Sequence, residues 1–241
     1  MVNAESKFLS GKRVLITGAG SGIGKACVIA FLEAGADVLA VDSNAQSLSE
    51  LESQFKVKTM VVALSKPDEH FPDPLEIDIL INNAANDTRH KIDDVTEEYW
   101  NERINVNLRH FFFTVQSVKK SMIDNGGGAI INMGSTSWMV GQGGMAAYTA
   151  EKSGVVGLSR SFARDLGEFN IRVNSVVPGW VMTQRQIDLW LNDESEKELM
   201  KRQCLKEKLM PHELAQAVLF FSSEQSSGCT NQSYVVDKGW L

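Results

Sequence analysis

Short apolar runs alternate with longer stretches of helical periodicity along this chain. Residues 13–17 (RVLIT) predict a first strand, and residues 24–34 follow with apolar positions at helical spacing until Gly35 closes them. Further strands are predicted at 37–41, running out at Asp42, and at 59–64, 77–81, 129–133, 171–177 and 234–236. One long helix is predicted over roughly 97–124, stopped by Gly126, Gly127 and Gly128, and another over 146–166. Strands that read as continuous apolar runs are buried on both faces, and the helices between them supply the covers. The pattern therefore predicts an α/β fold, a doubly wound parallel sheet. No repeat, linker or low-complexity tract breaks it, so residues 1–241 are read as a single domain. Residues 180–209 are the irregular stretch, polar and charged, with Trp190 and Met200 in it. In this architecture that segment lies outside the carboxyl ends of the strands and covers a substrate.

Composition narrows the picture. With 241 residues, 43% hydrophobic and 22% charged, the chain can build one sizeable core, and its net charge of -6 gives no reason to expect a nucleic-acid partner. No apolar run approaches a membrane span, and the first ten residues lack a signal-peptide pattern. Cys27, Cys204 and Cys229 are odd in number and far apart, which fits neither a zinc site nor a disulfide framework. They are read as reduced thiols in a cytoplasmic protein without a metal.

The chemistry begins after the first strand. TGAGSGIG (17–24) places Gly18, Gly20, Gly22 and Gly24 between a strand and a helix, with Ser21 and Ile23 among them. A backbone that must approach a pyrophosphate tolerates few side chains, and a helix N-terminus offers it free N–H groups and a positive dipole end. The second strand ends at Asp42, followed by Ser43. An acid there can accept hydrogen bonds from a ribose and repels a 2′-phosphate. Ser21, not a cation, stands in the loop, and both facts point to NAD over NADP. Tyr148 and Lys152 lie four apart in a helical segment and share a face. That spacing is common on helix surfaces, but Ser135 follows the strand at 129–133, where this fold places ligands, and Asn107 stands in NVNL on the long helix.

With these residues together the sequence resembles the short-chain dehydrogenase/reductase family. The matching elements are TGAGSGIG, Asn82-Asn83-Ala84-Ala85, Asn107, Ser135, Tyr148 with Lys152, and Pro178-Gly179 with Thr183, in the family's order over essentially the whole chain. The resemblance implies a Rossmann-like sheet of seven strands in the order 3-2-1-4-5-6-7, helices on both faces, and a homotetramer or homodimer. It implies Asn107, Ser135, Tyr148 and Lys152 as the catalytic set. Tyr148 moves the proton, Ser135 holds the reacting oxygen, Lys152 lowers the phenol and holds the nicotinamide ribose, and Asn107 supports a relaying water. For NAD it implies Gly18, Ser21, Gly22, Ile23, Gly24, Asp42, Ser43, Leu64, Asn83, Ala84, Ala85, Pro178, Gly179, Val181 and Thr183, besides Tyr148 and Lys152. Departures are Ala85 in place of a usual glycine, Ala63 in place of an aspartate, a short 65–76 stretch with a truncated helix, and Asp237-Lys238-Gly239 in place of Asp-Gly-Gly.

Around the expected site stand Asn86, Arg89, Trp138, Trp180 and Arg185, with His90, Arg109 and His110 nearby. Together with Ser135 and Tyr148, the first five are the candidate substrate residues. Aromatic faces and hydrogen-bonding groups suit a sugar, and NDTRH, NVNLRH, GSTSW, PGWVMTQRQ and QCLK resemble one branch of the family, the bacterial NAD-dependent aldose 1-dehydrogenases (the D-xylose type). That resemblance implies oxidation of an anomeric hydroxyl to an aldonolactone. The cations leave room for an anionic sugar. Two alternatives stand beside it: an enzyme for another small alcohol or ketone, and a non-catalytic NAD-sensing protein. Arg109 and His110 are read equally as residues bridging subunits.

Overall fold

In the computed structural model, which describes residues 7–66, 71 and 75–241, seven parallel strands form one sheet. They are β1 (Arg13–Thr17), β2 (Asp37–Asp42), β3 (Lys58–Val61), β4 (Ile79–Asn82), β5 (Gly128–Met133), β6 (Ile171–Pro178) and β7 (Ser233–Val236). Their order is β3-β2-β1-β4-β5-β6-β7. The helices are α1 (Gly22–Glu33), α2 (Ala45–Gln54), α3 (Glu97–Ile104), α4 (His110–Asp124), α5 (Ala146–Leu166), α6 (Gln184–Trp190), α7 (Asp193–Arg202) and α8 (Pro211–Ser222).

The alternation of side chains along each strand divides the interior in two. Val14 and Ile16 point to a core closed by Val28 and Phe31 of α1, Leu48 and Leu51 of α2, and Leu214 and Val218 of α8. Leu15, Leu80 and Ile130 point the other way, to a core closed by Val115, Val118 and Met122 of α4 and by Phe162 and Leu166 of α5. Both sheet faces are therefore covered, as the continuous apolar strands predict.

A polar network fixes the strand ends against the second set of helices. Asn82 donates to Asn132 on the neighbouring strand (2.9 Å), and Asn132 donates to Ser159 of α5 (2.8 Å). Thr114 of α4 donates to Asn82 (2.6 Å). All four are buried, and their mutual bonds offset the cost of desolvation. On the first strand, the Thr17 hydroxyl accepts from the backbone of Asn83 and Ala84 (2.9 and 3.0 Å), so the end of β4 is tied to the glycine loop.

Three expectations are corrected. The long helix over 97–124 is two helices, α3 and α4, joined by a π-helical turn at Asn105–Arg109. The irregular stretch carries α6 and α7, each N-capped by its own side chain, Thr183 and Asn192. The third strand stops at Val61, so Leu64 lies beyond it. Much of the predicted truncated-helix region, at 67–70 and 72–74, falls outside the described residues.

Phe31 has no exposed surface and is among the largest side chains of the first core. Phe31→Ala is expected to cost about 3–5 kcal/mol, read as a lower urea midpoint with an unchanged m-value.

Candidate active site

The glycine loop makes a cradle that side chains would fill. A β-carbon at Gly24 would lie 1.9 Å from the Gly18 carbonyl oxygen, and one at Gly18, whose φ is +63°, would lie 2.7 Å from the Ala84 backbone. Loop, helix and the end of β4 are thus packed backbone to backbone. At Ser21, the N-cap of α1, no side chain caps the helix. Its first N–H groups are left without a side-chain cap, which fits an anionic pyrophosphate. Asp42 braces the loop: its carboxylate accepts from Gly20 N (2.9 Å) and Asn44 N (3.0 Å). Asn83 donates to the carbonyls of Thr17 and Gly18 (3.0 and 3.1 Å). Thr183 closes over the far side, its methyl 3.0 Å from where a Gly22 β-carbon would stand. Val181 is buried and bridged to Leu209. Leu64 puts its side chain into the second core, which leaves its backbone as the part that can meet a cofactor. Ser43 and Ala85 are exposed at the strand ends. These residues fit a dinucleotide.

Ser135, Tyr148 and Lys152 converge beyond the end of β5. Ser135 follows that strand and accepts from Ser137 N (3.1 Å). Tyr148 stands in the first turn of α5, half-buried. Burial pushes its phenol well above the usual range, Asp87 and Glu151 add to that, and a hydrogen bond to Ser135 opposes them. The depression expected from Lys152 does not appear in the protein alone. Lys152 is fully buried, donates to the Met133 carbonyl (2.8 Å), and sits 5.7 Å from the centre of the Tyr148 ring and 5.0 Å from that of Phe111. Burial pulls its ammonium down to about 7, against the pull of Glu151 and Asp87.

Asn107 lies in the π-helical turn, fully buried. Its Oδ1 accepts from Asn86 N (2.7 Å), and its Nδ2 donates to Asn86 O (3.1 Å) and to Glu151 Oε2 (2.6 Å). Glu151, beside Lys152 and 1% exposed, is pushed up to about 7 by burial; the Asn107 bond, Lys152 and Arg103 hold it down. Glu151 and Lys152 each keep the other nearer its charged form. His110 is equally buried, against the reading that it bridges subunits. Desolvation and the Lys152 charge push its imidazole down to about 3. His90 anchors the first turn of α5: its Nε2 accepts from Ala147 N (3.3 Å), which leaves Nδ1 to carry the proton towards Tyr99 Oη (3.1 Å).

Ser135 and Tyr148 open into a cavity of about 450 Å³ between the strand ends and the α6–α7 segment. Of the other candidate substrate residues, Arg89 and Trp180 line it, and Asn86, Trp138 and Arg185 do not. Asn86 turns its side chain back on Thr88 (3.0 Å to N, 2.7 Å to Oγ1), Trp138 lies at the surface, and Arg185 is held by Asp87 (3.1 Å). Sequence reasoning missed Asp87, Gln186, Trp190 and Trp240, which line the cavity. Asp87 also accepts from Gln186 (2.5 Å), and Gln186 accepts from the Trp180 indole (2.9 Å), so the covering segment is latched to the loop after β4. Arg89 stacks on Trp190 at 4.2 Å. Asp87 lies within the NDTRH stretch that is read for Asn86 and Arg89, but its importance comes from a partner ninety-nine residues away. Among the described residues no group of His, Cys, Asp and Glu could hold a metal, and no helix is long and apolar enough to cross a membrane.

A family model described as enoyl-(acyl carrier protein) reductase matches residues 18–241. The chain is 42% identical to D-xylose 1-dehydrogenase of Caulobacter vibrioides, with all of both chains covered. It is 38% identical to a protein of Rhizobium meliloti assigned as a galactose dehydrogenase, over 96% of this chain and 95% of that one. Among solved structures, one from Beutenbergia cavernae assigned as an NAD(P)-dependent gluconate 5-dehydrogenase, with NADP bound at low occupancy, superposes with a TM-score of 0.91. It is 29% identical and 98% of each chain is covered.

The site's electrostatics can be tested without substrate. In the unfolded chain His110 regains its ordinary pKa of about 6.5. Between that value and about 3 only the unfolded state takes up its proton, so His110's contribution to stability is complete above the ordinary value and is lost as pH falls. From roughly pH 7 to pH 5, His110→Gln should lose about 2 kcal/mol less unfolding free energy than the parent, measured by urea titration. Equal losses would contradict the assignment.

Proposed function

The chain belongs to the short-chain dehydrogenase/reductase family, oxidoreductases that act on CH–OH groups, and from that premise we propose that it oxidises the anomeric hydroxyl of an aldose with NAD, giving an aldonolactone. The observation that carries this reading is the lining of the cavity around Tyr148 and Ser135. Trp180 and Trp190 offer flat apolar faces, while Asp87, Arg89, Gln142 and Gln186 offer hydrogen-bonding groups. That mixture suits the C–H faces and hydroxyls of a sugar ring better than an acyl chain, which wants a uniformly apolar channel. Two relatives named for aldoses, aligned over nearly the whole chain, support it.

When bound, the oxidised nicotinamide ring accepts the hydride from the reacting carbon. The remaining tasks fall to this chain. Ser135 donates to and orients the reacting oxygen. Tyr148 takes its proton, for which the phenol must come down from its high value. In the protein alone Lys152 does not achieve this; with the dinucleotide bound, the positive charge of the oxidised ring would act in that direction beside the Lys152 ammonium, which stands close to the Tyr148 ring. Lys152 would also hold the nicotinamide ribose, and Asn107, clamped between Asn86 and Glu151, would support a water that carries the proton onward. Thr183 would hold the cofactor's carboxamide, and the backbone from Asn83 to Ala85 would bind on its adenosine side. The choice of NAD rests on Asp42, whose carboxylate at the end of β2 would repel a 2′-phosphate.

An anionic sugar remains within this proposal through Arg89, which lines the cavity, whereas Arg185 is neutralised by Asp87. The proposal extends to a homotetramer or homodimer: Trp100, Phe112 and Phe113 on α3 and α4 are 40%, 46% and 38% exposed.

NADH formation with a panel of neutral and acidic aldoses tests the reading. We expect turnover of at least one aldose with NAD and much weaker turnover with NADP, a gap that Asp42→Ala narrows. Tyr148→Phe should lower kcat on the order of a thousandfold while NADH binding persists. Silence on every aldose, with a ketone reduced instead, would overturn the sugar assignment.

A further inference from the structure

The segment after β7 is built as a wall of the cavity. Beyond the pairing of Pro178 with Val236, the chain turns at Asp237, which is 7% exposed. One oxygen of its carboxylate accepts from Gly239 N (2.8 Å) and the other from Leu241 N (3.0 Å). Trp240 stands between those two amides, so the clamp fixes its backbone, and its side chain lines the cavity with Trp180 and Trp190. Gly179, the residue after β6, packs directly on this turn. A β-carbon there would approach that of Asp237 to 2.6 Å.

The same segment is stitched to the end of the covering segment. Cys204 N donates to Gly239 O and Leu205 N to Lys238 O, both at 3.0 Å, and the Gln203 side chain donates to Asp237 O (3.3 Å). Lys238 has φ +61°, a left-handed conformation that glycine adopts freely and lysine does not. Its side chain is only 8% exposed, and its ammonium is bonded to Glu207 (2.7 Å), beyond α7, and to Glu213, in the first turn of α8. Those hydrogen bonds raise its pKa. A lysine in a glycine's backbone conformation is thus held by two carboxylates, and it fastens three segments to one another.

We propose that Trp240 is a substrate-contacting residue that determines specificity, presented by the Asp237 clamp and fastened by the Lys238 ion bridge. This rests on the proposed function only in taking the cavity as the substrate site. Three indole rings in a cavity of about 450 Å³ favour a compact ring with C–H faces over a long flexible substrate. Lys238 and Asp237 are positioning residues: they act on substrate through Trp240.

The test compares the parent protein with Trp240→Ala, Trp240→Phe and Lys238→Gly on a panel of aldoses and small cyclic alcohols and ketones. The probe is whichever compound the parent turns over fastest. A preference for a ketone would sink the aldose reading and leave this test standing. Trp240→Ala should raise the KM for that compound about tenfold and change its selectivity over the next-best one about fivefold. The KM for the dinucleotide should stay within about twofold, and Trp240→Phe should recover most of the loss. Lys238→Gly, which relieves the backbone but cuts the bridge, should raise substrate KM about threefold. Should Trp240→Ala fail to fold, Trp240→Leu against Trp240→Phe makes the same comparison. Substrate KM and selectivity both within about twofold of the parent, or an equal loss for the dinucleotide, would overturn the proposal.

Discussion

A fully buried ammonium is the constraint around which the active-site half of the molecule is arranged. Taking Lys152 out of water costs several kcal/mol, and its partners only partly offset this. The Met133 carbonyl at the end of β5 takes one N–H, the face of Phe111 lies 5.0 Å away, and Glu151 and Asp87 supply negative charge. Each partner constrains something else. Glu151 must be buried and hydrogen-bonded, which commits Asn107. Asn107 must reach both Glu151 and the Asn86 backbone, which commits the π-helical turn. His110, in the same interior, has to stay neutral beside a cation. The side chains that would do the chemistry are thus held by a network in which nearly every member is needed for electrostatic reasons.

The sheet gives that network its fixed frame. Asn82 and Asn132 face each other across β4 and β5 in register, and their bonds to Thr114 and Ser159 reach α4 and α5. The polar interior therefore ties the strand that leads to Ser135 to the helix that carries Tyr148 and Lys152. The opposite core, under α1 and α8, is apolar, and there the close approach is between backbones, at Gly18 and Gly24.

What the sequence revealed follows the strength of each local signal. β1 and β2 carry uninterrupted apolar runs, Val14–Ile16 and Val38–Val41, and Tyr148 with Lys152 satisfies a helical spacing in a helix that is long and well marked, so these were legible. α2 buries only Leu48 and Leu51, and α7 only Leu199. With so few apolar positions, helical periodicity hardly registers. The substrate residues fared worse for a different reason. Whether a side chain lines a cavity depends on partners far along the chain, as Asp87 turning Arg185 away shows, and spacing carries none of that. Trp240 was invisible for the same cause. The departure from glycine at Lys238 was legible as an oddity, but its two carboxylates were not.

The π-helical turn at Asn105–Arg109 is in effect one residue more than a regular helix needs. Losing any one of the five would let α3 and α4 run together as a continuous helix, with better hydrogen bonds, and would turn everything beyond the deletion by about 100°. Asn107 or its neighbours would then leave the register that Glu151 and Asn86 require. The segment is a place where local folding preference and chemistry vote differently. Drift towards a smoother helix would give a protein that folds well and has lost the alignment of its reactive groups.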